Sequence, residues 1–389
     1  MMRGTCKSFA IVCLMLLAAC TAAAPAGVPA ANPAASRADA RIDNVILFIV
    51  DGAGTAYWSA AKFAQDSLAV ATMPVVGLVD TRSSDSRVTD SAAGATVYAT
   101  GQRTYNGAIG VGPRCAQMFR ADSAAVMRNP AACDPLETVL QVAKARGMAT
   151  GLVATSSVTH ATPASFGAHV PYRRMQPEIA AQLATAELDV LLGGGLGFFD
   201  GRLRPDGQNL HQEMCRRATC LTQPAELRGY RPDDRPLVGL FAEEHLERAL
   251  ERREILPQMT RTALEKLSRH PRGFFVMIEP SQPDWRGHDN EPIEELINEM
   301  LDADRAIAVA LDFARRDGRT LVVVTADHET GGFSIAEQNG QLRAQYGTDY
   351  HTGEMVPLFA YGPGAERFGG IKENYQVGRL LMEIVRARR

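Results

Sequence analysis

Hydrophobic positions fall into two recurring patterns along this chain. Asn44 to Val50 (NVILFIV) is a continuous apolar run, as expected of a strand buried on both faces. Similar runs recur at Ala149 to Thr155, Val190 to Leu192, Phe274 to Ile278, Leu321 to Thr325 and Leu358 to Tyr361. Between them, Leu136 to Arg146, Pro177 to Thr185, Pro257 to Ser268, Ile293 to Arg316 and Glu373 to Ala387 carry apolar residues at helical spacing. This alternation predicts an α/β fold with a doubly wound, mostly parallel central sheet sandwiched by helices. Ligands of such sheets sit off the carboxyl ends of the strands, so the chemistry is expected just after the apolar runs. Residues 103–134 and 200–236 lack clear periodicity and read as surface insertions, and no internal repeat is present.

The length of 389 residues suffices for one large α/β domain with a deep core, or for two small domains. A formal net charge of -3 and the absence of a long basic run argue against a nucleic-acid or acidic membrane partner. At the N-terminus, Arg3 and Lys7 precede an apolar run from Phe9 to Ala19 that is too short to span a bilayer comfortably. It ends in Leu17-Ala18-Ala19-Cys20, which resembles a bacterial lipoprotein signal cleaved before a lipid-bearing Cys20. A plain signal peptide cut near Ala24 is the alternative. The expected organisation is a signal peptide over 1–19, a flexible Ala/Pro-rich tether over 20–40 and a catalytic domain over 41–389, exported to the periplasm or cell surface. Four cysteines remain in the body. Pairing of neighbours, Cys115 with Cys133 and Cys215 with Cys220, is the simplest of three connectivities.

Acidic residues stand where the apolar runs end. Asp51 follows the first run directly, Glu279 follows FFVMI, and Asp327 and His328 follow LVVVT by one residue. A carboxylate in that place is a metal ligand, a catalytic group or a helix cap. Asp284 and His288 are four apart, on one face of a helical turn and within reach of one ion. His351 precedes the run at Leu358. Mixed nitrogen and oxygen ligands without thiolates favour zinc, and oxygen-only sets favour magnesium. Ser91, in VTDSAAGAT, stands at a helix start, where dipole and free amides offer a seat for phosphate. It is either a nucleophile activated by a neighbouring metal or an ordinary N-cap serine.

Six blocks in order, NVILFIVDGAG, VTDSAAGATVYATG, VTHATPASFGAHVPYR, IEPSQPDWRGHD, VVVTADHETGG and HTGEMVPLFAYG, resemble the signatures of the alkaline phosphatase family across about Asn44 to Gly362. The resemblance implies phosphate monoester hydrolysis through a phosphoserine at Ser91. It implies one zinc held by Asp284, His288 and His351 on the leaving-group side, and a second held by Asp51, Asp327 and His328 beside Ser91. A third metal, usually magnesium, is implied at Asp51, Thr162 and Glu279. Arg173 occupies the place of the arginine that clamps two phosphate oxygens, a task suited to a planar guanidinium. Family members usually form homodimers.

Departures accompany the match. His160 and Trp285 stand at variable positions: His160 touches the third metal or only a bound water, and Trp285 meets phosphate through its indole or only packs. Pro280 and Pro283 restrict the loop carrying Glu279 and Asp284. His169, His211, His245 and His270 fit no block and read as structural or solvated. Asp90 is either a cap or an orienter of Arg173. Competing readings are a sister phosphodiesterase, which should lack the clamping arginine, and a metal- or phosphate-binding surface lipoprotein without turnover. The context of Ser91 does not match a sulfatase.

Overall fold

A computed structural model describes residue 1 and residues 41–387, apart from 130 and 131. The leader, the cleavage site before Cys20 and the tether to residue 40 lie outside the described residues. In chain order the strands are β1 (Asn44–Ile49), β2 (Val75–Asp80), β3 (Ala149–Ser157), β4 (Val190–Gly194), β5 (Thr219–Leu221), β6 (Leu237–Leu240) and β7 (Phe274–Glu279). They continue with β8 (Thr320–Thr325), β9 (Glu329–Thr330), β10 (Ser334–Gln338), β11 (Gln341–Gln345), β12 (His351–Thr352), β13 (Val356–Tyr361) and β14 (Gly370–Glu373). Ten of them form one sheet in the order β14-β2-β13-β8-β1-β7-β3-β4-β6-β5. Within it β13 runs antiparallel to β8 and β2, and every other pairing is parallel.

The burial explains the sequence pattern. All six residues of β1, β7 and β8 are buried, because helices cover both faces of a parallel sheet. Helices Thr55–Ala64 and Ile255–Leu267 each pack on Ile293–Asp317, and Ser91–Thr100, Val139–Ala145, Ala161–Gly167 and Asn374–Arg386 form a second group. Each fully buried aliphatic side chain contributes about 1.5–3 kcal/mol of transfer free energy. The short strands β9 and β12 pair antiparallel beyond the sheet, with His351 opposite Thr330.

Two segments differ from expectation. Residues 200–236 are not merely a surface insertion, since β5 extends the sheet at one edge. Its three residues are too few to show a period. The segment 103–134 closes over a small core of its own that includes Tyr105, Val111, Cys115, Val126 and Cys133. Disulfides join Cys115 to Cys133 and Cys215 to Cys220, with Cα separations of 5.0 and 5.5 Å.

Candidate active site and metal centre

Because β1 lies between β7 and β8, the carboxyl ends of these three strands are adjacent. Glu279 is the last residue of β7, Asp51 lies two residues past β1, and Asp327 lies two past β8. All three are fully buried. Gly52 allows the close approach at this end: its φ is +73°, and a Cβ there would lie 2.7 Å from the Asp284 Cα. Its N–H donates to Asp327 Oδ1 at 3.2 Å.

The helix Gln282–His288 places Asp284 and His288 one turn apart, with His288 Nε2 3.4 Å from Asp284 Oδ1. His351, at the start of β12, brings its Nε2 to 3.0 Å from His288 Nε2 and 3.6 Å from Asp284 Oδ1. Both rings direct Nδ1 at backbone carbonyls, His288 at Asp349 (2.7 Å) and His351 at Thr89 (2.8 Å). A carbonyl only accepts, so both Nδ1 atoms carry protons. In the neutral rings, two Nε2 lone pairs then face one another and a carboxylate. That arrangement calls for a cation between them. Pro283 sits in the first turn of the helix, where its missing N–H costs no hydrogen bond, so it does not displace Asp284.

A second cluster adjoins the first. His328 Nε2 lies 3.5 Å from Asp51 Oδ1 and 3.3 Å from Asp327 Oδ2. The same nitrogen lies 3.2 Å from Ser91 Oγ. The ring of His328 stacks on that of His351, with centroids 3.5 Å apart, and Tyr350 stacks on the other face of His351 at 4.5 Å. A third cluster holds Asp51, His160 and Glu279, whose ligand atoms lie within 4.8 Å of one another. Six buried side-chain atoms here have no hydrogen-bond partner: both carboxylate oxygens of Asp51, Glu279 Oε1, Asp327 Oδ2, Thr162 Oγ1 and His160 Nδ1. A buried polar atom left unpaired is costly, and the five oxygens among these six, gathered in one place, fit cations. His211 lies 3.5 Å from Cys215 Sγ, but the disulfide removes the thiolate a metal would need.

Ser91 opens the helix Ser91–Thr100, all ten residues of which are buried. Small residues permit the close fit: a Cβ on Gly94 would lie 3.0 Å from Asp327. The cap is Asp90, not Ser91. Asp90 Oδ1 accepts from the N–H groups of Ala93 and Gly107, both at 3.0 Å, and Oδ2 accepts from Arg173 Nη1 at 3.0 Å. Asp90 thus caps the helix and aims the guanidinium, while Ser91 Oγ stays free to face the cluster. Arg173 Nη2 also reaches His160 Nε2 at 3.3 Å. Above these groups opens a cavity of about 560 Å³ lined by Ser91, Arg173, His160, Trp285, His288 and Tyr350, among others. Its size suits a small-molecule substrate.

Electrostatics follow from burial. Desolvation pushes the Glu279 and Asp327 carboxyls up to about 7; it also holds Asp51 well above the ordinary carboxyl range, with the charge of Asp327 next in weight. Burial also holds His160 and His328 well below the ordinary imidazole range. With no cation, the acids keep protons and the imidazoles stay neutral. Cation binding must displace carboxyl protons but none from these histidines. The apparent zinc affinity of metal-stripped protein is therefore expected to rise from pH 5.5 to 7, by roughly tenfold per pH unit for each proton displaced. Competition titrations against a chromophoric chelator would measure this.

This geometry gives the setting for comparison with known proteins. The model of the family described as alkaline phosphatase matches residues 42–345. The chain belongs to the alkaline phosphatase family. Alkaline phosphatase 3 of Bacillus subtilis is 32% identical over 87% of this chain and 88% of its own. The Escherichia coli alkaline phosphatase is 30% identical over 85% and 83%. Among solved structures, alkaline phosphatase from the Antarctic bacterium TAB5 superposes with a TM-score of 0.80 at 35% identity, covering 90% of this chain and 99% of that one. A His-to-Asp mutant of the TAB5 enzyme has magnesium bound in its M3 site. This chain is accordingly a phosphatase of a metal-dependent family that acts on phosphate monoesters. No helix among the described residues is long and apolar enough to cross a membrane.

The residues named in the sequence as ligands, nucleophile, clamping arginine and weaker site candidates lie together here. Two further residues stand close to them: His245, read as structural, and Thr330, which carried no assignment. His245 accepts from the Ser157 N–H at 2.9 Å and packs against Trp285 (4.7 Å) and His160 (5.7 Å), as a support behind the cavity wall. Thr330 lies between the first two clusters. The contacts of His245 to Ser157 and of Thr330 to Asp284 join residues distant in sequence, so spacing alone does not show them.

Proposed function

We propose that this alkaline phosphatase hydrolyses phosphate monoesters through a phosphoserine at Ser91, outside the cytoplasm and tethered by a lipid on Cys20. The observation that carries the reading is the position of Ser91 Oγ. It sits at a buried helix N-terminus beside His328 Nε2, in the same cavity as the Arg173 guanidinium. Asp284, His288 and His351 would hold one zinc, and Asp51, Asp327 and His328 the other. When bound, two such cations stabilise the charge on the attacking and leaving oxygens and lower the pKa of the serine hydroxyl and of attacking water.

The protein groups do the rest. Ser91 Oγ attacks phosphorus in line as the bond from phosphorus to the ester oxygen breaks and the alcohol leaves on the opposite side, and the helix N-terminus stabilises the phosphoryl oxygens. Arg173, held by Asp90, grips two of those oxygens with its planar fork. Water then attacks phosphorus, the Oγ–P bond breaks, and inorganic phosphate and the free Ser91 hydroxyl result. The third site takes Asp51, Glu279 and Thr162. His160 serves it as a hydrogen-bond donor: its Nε2 accepts from Arg173, which leaves the proton on the unpartnered Nδ1. An oxygen-only set favours magnesium. Trp285 lines the cavity beside His160 and packs on His245.

A paired assay tests the reading. Purified protein supplied with zinc and magnesium is expected to turn over p-nitrophenyl phosphate at least ~100-fold faster than its diester, and Arg173→Ala to narrow that ratio. Faster diester turnover would place the enzyme with the phosphodiesterases. No turnover of either ester with metal bound would favour a binding protein.

A further inference from the structure

We propose that Thr330 is a positioning residue that ties the two zinc sites into one cooperative unit; this rests on the ligand sets proposed above. Thr330 is fully buried and touches parts of both sites. Its hydroxyl lies 2.5 Å from Asp284 Oδ1 and 3.2 Å from His328 Nδ1. Its N–H donates to Gly52 O at 3.1 Å, next to Asp51. Its carbonyl accepts from the Tyr57 hydroxyl at 2.7 Å, and its backbone pairs with His351.

Tautomers give the hydroxyl a direction. His328 Nε2 faces Asp51, Asp327 and Ser91, so its lone pair serves the site there and Nδ1 carries the proton. Thr330 Oγ accepts that N–H and gives its own proton to Asp284. The chain Nδ1–H to Oγ–H to Oδ1 therefore joins a ligand of one zinc to a ligand of the other. Outer hydrogen bonds of this kind fix the ring orientation and basicity of a ligand. Here one hydroxyl does so for two sites, so filling either sets the Thr330 rotamer that the other requires. Its methyl group lies close against Gly287, where an added Cβ would be 2.9 Å from Thr330 Cγ2.

The test is zinc uptake by the metal-stripped full chain, followed by competition with a chromophoric chelator, in wild type, Thr330→Val, Thr330→Ala and Thr330→Ser. Wild type is expected to load the two sites in one steep step. Thr330→Val keeps the shape but loses the hydroxyl. It is expected to bind about 10- to 100-fold more weakly and in two resolved steps. Thr330→Ala gives the same result if valine impairs folding, as judged by circular dichroism. Thr330→Ser restores the single step. Wild-type-like loading by both hydroxyl-free variants, or failure of serine to rescue, would overturn the proposal. The zinc-loaded wild type is assayed in parallel on p-nitrophenyl phosphate. Loss of that activity would instead overturn the zinc-site reading itself.

Discussion

Ser91→Ala is expected to lower p-nitrophenyl phosphate turnover by roughly three orders of magnitude or more, equivalent to at least ~4 kcal/mol of barrier. Nothing else at the site should change. Alanine is the best helix former, and Asp90 rather than Ser91 caps the helix. The oxygen removed is 3.2 Å from His328 Nε2, and every histidine and carboxylate of the three clusters stays in place. Zinc content and thermal stability should therefore match wild type. Steady-state kinetics beside metal analysis would check this. A variant that keeps a tenth of wild-type turnover would remove Ser91 from the nucleophile's role.

Asp51→Asn is expected to be as severe in rate, but through metal loss. Asp51 is shared: it belongs to the cluster with Asp327 and His328 and to the cluster with His160 and Glu279. Both its oxygens are buried and have no partner. Asparagine keeps the shape, removes the charge and replaces one acceptor oxygen with an NH2 donor. Two sites should lose affinity together, and turnover should fall by about 10³-fold or more at ordinary zinc levels. Unlike Ser91→Ala, this variant should recover part of its activity as zinc is raised. The metal-free variant should be no less stable than metal-free wild type, since it no longer buries a group whose charged form is disfavoured. Metal analysis by plasma mass spectrometry, with thermal melts of the stripped proteins, would separate these effects.

How far the sequence could lead depended on which residues acted locally. Strands β1, β7 and β8 announce themselves because burial on both faces makes them continuously apolar, and the acids just beyond them mark the rim of the site. Strand β2, second from one end of the sheet between β14 and β13, does not: Val76 and Leu78 are exposed at 59% and 37%, and its apolar residues are interrupted by Gly77. β5 and β14 are short and sit at the sheet's ends. Asp284 and His288 were legible because four-residue spacing is itself geometry. Ser91 and Arg173 were legible only as parts of an ordered set of motifs, since a serine at a helix start is common. Thr330 sits inside the same motif as Asp327 and His328 but was passed over, because its partner Asp284 is 46 residues away. His245 reads as structural in the sequence, but its contacts to Ser157 and Trp285 are made only by the folded chain.

The central claim is that the convergent histidines and carboxylates assemble a metal centre that performs the hydrolysis. It is tested most directly by titrating metal-stripped protein with zinc, in saturating magnesium, while bound zinc and p-nitrophenyl phosphate turnover are measured on the same samples. The account predicts negligible turnover without zinc and a rise that reaches its plateau as the second equivalent binds. Turnover that persists after stripping, or two bound zinc ions with no turnover, would contradict it.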